Sequence, residues 1–181
     1  MELKCFYYKK GGGFTLENSG NFTIIVPNEF NFLLYLYNWI DKKEFPHFEV
    51  KVENLDINEI KKNIIEQWNL YFEQLLNNGE YIQYIEVENS LAEEVLVGLD
   101  SKQKENIVNQ YNSWWYHQSS IGYYQIIEKA ISYHKKINLI RSILNIETYP
   151  YLLITYDSIP KEFSVNNSDF YFISQNSILT L

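Results

Sequence analysis

The run DINEIKKNIIEQWNLYFEQLLN, Asp56 to Asn77, decides how the rest of the chain is read. Ile57, Ile60, Ile64, Trp68, Tyr71 and Leu75 recur at three- and four-residue intervals, with Ile65, Phe72 and Leu76 widening the stripe. That period puts one apolar face on a helix. Asp56 suits the N-cap, and Glu59 three residues on makes a variant of the capping box. Asn77-Asn78-Gly79 supplies the stop.

Moving upstream, His47 to Glu53 alternates, with Phe48, Val50 and Val52 on one side, the pattern of a half-buried strand. Phe30, Leu33, Leu34, Tyr37 and Ile40 predict a helix over 28–41, opening behind Pro27. Residues 3–8 and 21–26 read as strands, with Lys9-Lys10-Gly11-Gly12-Gly13 between them as a hairpin or tip. The three glycines precede a strand and no Gly-Lys-Ser/Thr follows, so a turn is expected rather than a phosphate cradle.

Downstream, Tyr81 to Val87 suits a strand, and Glu94 to Leu99 a second strand or a helix end. Ser101 is expected to cap a helix over 102–117, with Ile107, Val108, Tyr111 and Trp115 inward. A further helix begins near Gly122 and runs toward Leu144. Tyr151–Tyr156 and Phe170–Ser174 read as strands. Strands cluster at the two ends and helices in the middle. That grouping predicts an α+β chain with a mixed or antiparallel sheet and about four helices. No repeat, low-complexity segment or Pro/Gly-rich linker interrupts residues 1–181, and a single globular domain is expected.

Composition narrows the function classes. Hydrophobic residues make up 46% of the 181 and aromatic ones 17%, including 16 Tyr and 11 Phe, an apolar payload that disordered chains lack. One cysteine, Cys5, excludes an internal disulfide, and it reads as a small buried hydrophobe in a strand. With no apolar leader after Met1 and no run long enough to span a bilayer, the expected setting is cytoplasmic, with no membrane partner. The formal charge is −8, and Arg141 is the sole arginine. Phosphate and base-edge recognition favour the forked guanidinium, so nucleic acid is not the expected partner.

Two stretches stand out. From Glu80 to Asp100 lie six acids (Glu80, Glu86, Glu88, Glu93, Glu94 and Asp100) and no Lys or Arg. The bland reading is a solvated face whose cations come from elsewhere, with Lys61, Lys62, Lys102 and Lys104 as candidates. The functional reading is a patch that steers a basic partner. Trp114-Trp115-Tyr116-His117 is the other stretch. Neighbours on a helix point about 100° apart, so these rings cannot all face one core. Either the helix is buried on two sides or a ring is offered as an interface anchor.

No Gly-x-Ser-x-Gly elbow, His-Glu-x-x-His pair or Cys cluster is present, and neither cofactor nor metal is expected. The first expectation is a non-enzymatic acidic module that docks on a basic protein and inhibits it, as immunity proteins, antitoxins and viral anti-defence proteins do. Glu86, Glu88, Glu93, Glu94 and Asp100 would steer, and Trp114, Trp115 and Tyr116 would anchor. The alternatives are an enzyme built on His117, His134, Glu128 and Asp157, or an aromatic-lined binder of a small ligand. A homodimer fits the same aromatic surface.

Overall fold

In the computed structural model of the chain, the described residues are 3–7, 14–18, 23–42, 55–78, 89–117, 125, 126, 128, 151–163, 170–175 and 177. Three strands come first: β1 (Leu3–Tyr7), β2 (Phe14–Asn18) and β3 (Thr23–Ile25). Helices α1 (Asn28–Lys42), α2 (Ile57–Asn78), α3 (Asn89–Val95) and α4 (Ser101–Trp115) follow. Strands β4 (Tyr151–Thr155) and β5 (Phe170–Ser174) come last. The chain is α+β, with strands at the two ends of the sequence and helices between.

The strands pair in the order β1-β2-β3-β4-β5. β4 and β5 run parallel, Tyr151 beside Phe170 through Thr155 beside Ser174, and β3 lies parallel to β4. β1, β2 and β3 pair antiparallel. The partner of β1 across the glycines is therefore β2, a strand the reading left out. Its five residues, with Phe14 and Leu16 two apart, are too short to declare a period.

The 28–41 and 57–77 helices stand where the periodicity put them, and Asp56 Oδ1 accepts from the backbone N–H of Asn58 and Glu59, both at 3.1 Å. One boundary needs correction. The cap of α4 is Asp100, not Ser101: its carboxylate accepts from Gln103 N at 2.8 Å while the Gln103 side chain accepts from Asp100 N at 3.0 Å. Both residues are good caps, and the amide three residues after Asp100 decides between them. Of the two readings of Glu94–Leu99 the helix end holds and the strand does not: α3 ends at Val95 and Gly98 turns the chain at φ 83°, a backbone region open to glycine. The expected strands at 47–53 and 81–87 lie outside the described residues. So does most of the helix expected from Gly122; within it Gln125, Ile126 and Glu128 are helical.

The core forms around α1. Residues 28–40 are buried on every side, not only along the stripe read from Phe30 to Ile40. Phe30 meets Trp68 of α2 edge-on at 4.7 Å between ring centres and Phe172 of β5 at 5.2 Å. Phe32 and Tyr35 meet Tyr111 of α4 at 4.9 and 5.0 Å. Burying one such ring contributes roughly 1.5–3 kcal/mol of transfer free energy, so this aromatic packing fixes α1 between its neighbours.

Candidate functional site

The acidic segment is placed in part: Glu86 and Glu88 lie outside the described residues. Glu93 and Glu94 are exposed on α3, and Asp100 is exposed at the start of α4. Lys104, on the first turn of α4, reaches back and donates to the Glu93 carboxylate at 2.5 Å and to the Glu93 carbonyl at 3.4 Å. Its stem is buried and its ammonium closes the end of α3. That hydrogen bond holds the Glu93 carboxyl below the usual carboxylate range. One of the four candidate lysines thus meets the acidic segment. Lys61 pairs instead with Asp41, and Lys62 with Glu66 one turn along α2.

The aromatic stretch divides. Trp115 is fully buried and stacks on Tyr111 at 5.6 Å. It belongs to the core, which corrects its expected role as a ring offered to a partner. Lys104, Ile107, Val108, Tyr111 and Trp115 form one buried stripe, so α4 is covered on one face, with Trp114 and Tyr116 at its margins. Trp114 is half-buried, 4.8 Å from Tyr35 and 5.3 Å edge-on to Tyr156. Tyr116 is half-buried and ends α4, its N–H bonding the Asn112 carbonyl at 3.0 Å.

The groups named for an enzyme scatter over three elements. His117 is exposed just past α4, Glu128 is exposed, and Asp157 is half-buried beyond β4. His134 lies outside the described residues. The Trp114–Tyr156 contact does bring the end of α4 beside the carboxyl end of β4, where His117 and Asp157 stand.

A polar stripe on α1 is the feature that sequence reasoning missed. Asn28, Asn31, Tyr35 and Asn38 follow one another at steps of three, four and three, so they share one face of a helix whose other buried residues are apolar except Glu29. Asn28 takes the Tyr111 hydroxyl on its side-chain oxygen at 3.0 Å. Asn31 acts as an extra peptide at the end of β4: its amide donates to the Ile154 carbonyl at 3.2 Å and its oxygen accepts from Tyr156 N at 2.8 Å. Asn38 donates to the Tyr156 hydroxyl at 2.8 Å and to Asp157 Oδ2 at 3.0 Å. Burial pushes the Tyr111, Tyr35 and Tyr156 hydroxyls well above the usual tyrosine range, so they stay protonated. An unpaired buried amide costs one to three kcal/mol, about what each of these bonds avoids.

Chemically the stripe positions rather than reacts: it sets α1 against β4 and α4 with neutral donors, and its acceptors are neutral apart from the Asp157 carboxylate. Among the described residues no group of three or more His, Cys, Asp or Glu is placed to hold a metal ion, and no helix is long and apolar enough to cross a membrane. Comparison with protein-family models, with curated proteins and with solved structures finds no match for this chain.

Proposed function

We propose that the chain is a non-enzymatic acidic module that docks on a basic partner protein in the cytoplasm and inhibits it, in the manner of an immunity protein, antitoxin or viral anti-defence protein. The supporting observation is the charge left on the α3–α4 surface. Of the two lysines of α4, Lys104 is buried against Glu93 and only Lys102 is exposed, while Glu94, Asp100 and Glu105 face solvent. With −8 on the whole chain, such a surface draws a basic partner over a Debye length of about 10 Å and sets its orientation. Trp114 and Tyr116, half-buried at the other end of α4 from the charge, supply apolar edges, with buried Trp115 between them in sequence.

Glu94→Lys with Glu105→Lys tests this reading, since neither side chain takes part in the Lys104 pair or the Asp100 cap. The double variant should fold as the parent does, bind the partner more weakly, and lose much of the salt sensitivity. Unchanged binding and salt dependence would remove the steering role. An enzyme at the junction of α4 and β4, using His117 and Asp157, is the second reading, favoured by the Trp114–Tyr156 contact. A turnover lost in His117→Ala would establish it.

A further inference from the structure

We propose that residues 157–162, the stretch leaving β4, form a strap fastened to α1 through two carboxylates, and that it opens before the rest of the fold when their charge is removed. Its two ends are held by burial. Tyr156 packs edge-on against Trp114, and Phe163 lies 4.6 Å from Trp68 and 5.1 Å from Tyr37. Between them Ile159 packs against the core, and two hydrogen bonds from α1 share one kind, a neutral donor meeting a carboxylate. Asn38 donates to Asp157 Oδ2 at 3.0 Å, and Tyr37 donates to Glu162 Oε1 at 2.5 Å. Asp157 is the node. Its other oxygen accepts from Ser158 N at 2.7 Å, and its carbonyl accepts from the Thr155 hydroxyl at 2.8 Å.

Hydrogen bonds to a carboxylate are about twice as strong as neutral ones, and protonation removes that advantage. The Asn28 and Asn31 part of the polar stripe has no such weakness, because its bonds to Tyr111 and to the β4 backbone run through neutral groups. Around Glu162 the described charged and titratable groups include Tyr37 and Asp41 on α1 and Lys61 on α2; around Asp157 they include Tyr156, with His117 at the adjoining end of α4. The Tyr37 bond holds the Glu162 carboxyl below its ordinary range. A lowered folded-state value means that its fastening is complete above the ordinary glutamate range and fades as pH falls through the lowered value.

Hydrogen exchange of the full chain, read by mass spectrometry on peptides covering 155–163 and on α2 and α4 peptides, tests the strap. At neutral pH, Asp157→Asn with Glu162→Gln keeps the shapes and removes the charges. It should speed exchange in 157–162 by about threefold or more and leave α2 and α4 unchanged. Tyr37→Phe, which leaves both carboxylates in place, should speed the Glu162 end alone. Exchange in the strap equal to the parent in both variants, or acceleration spread equally over α2 and α4, would overturn the proposal.

Discussion

The side-chain amide of Asn38 donates to the hydroxyl of Tyr156 at 2.8 Å, joining α1 to the end of β4 across 118 positions of sequence. Both residues are buried, so neither group can turn to water instead. Asn38→Ala should therefore lower stability by about 1–3 kcal/mol in urea denaturation, because it strands the hydroxyl and one bond to Asp157. Tyr156→Phe in the same background should cost less than it does alone. Strictly additive losses would mean that the two side chains act separately.

Trp115 and Tyr116 are neighbours with different burdens. Trp115 is fully buried against Tyr111, and Trp115→Ala should cost about 3–5 kcal/mol through the cavity it opens. Tyr116→Ala, at a half-buried helix end, should cost clearly less. Thermal melts of the two variants check the ordering, and equal losses would place Tyr116 in the core as well.

The start of α4 gives a cleaner comparison. Asp100→Ala removes the side-chain half of a capping box and should cost about 1 kcal/mol, whereas Ser101→Ala should be close to neutral. The reverse ranking would return the cap to Ser101.

Alkaline pH should destabilise the chain through its tyrosines. Burial and the Glu162 carboxylate push Tyr37 up to about 12, and burial pushes Tyr35 and Tyr156 further. A raised folded-state value means that the stabilisation is complete below the ordinary tyrosine value near 10. It is lost as pH rises through the folded values, since the unfolded chain ionises first. Phenolate absorbance should then appear in two steps, exposed tyrosines first and the buried group together with unfolding. One smooth step near 10 with the fold intact would contradict the burial of these hydroxyls.

Much of this fold was legible because its signals are periodic. The 57–77 stripe and the 28–41 helix repeat at helical spacing, and the Tyr151 strand declares itself instead as a short apolar, partly β-branched run. Strand β2 was not legible, since five residues between turn-formers declare no period. The polar stripe of α1 was on the page as Asn28, Asn31, Tyr35 and Asn38, but reading only the apolar face hid it. A helix buried all round carries two patterns, and the polar one tells which side meets β4. The pairing of Lys104 with Glu93 joins residues 11 apart through a turn, and it was foreseen only as one candidate among four lysines. The burial of Trp115 beside the half-burial of Trp114 depends on which helices cover α4, and that is tertiary information.

The most direct test of the proposed docking is capture of binding proteins from lysate of the cells that produce this chain, or of their host, eluted with rising salt and compared with the Glu94→Lys, Glu105→Lys variant. The account predicts one stoichiometric basic protein, released as salt rises, inhibited when bound, and held far more weakly by the variant. Equal capture by parent and variant at every salt concentration, or a bound protein whose activity is unaffected, would contradict it.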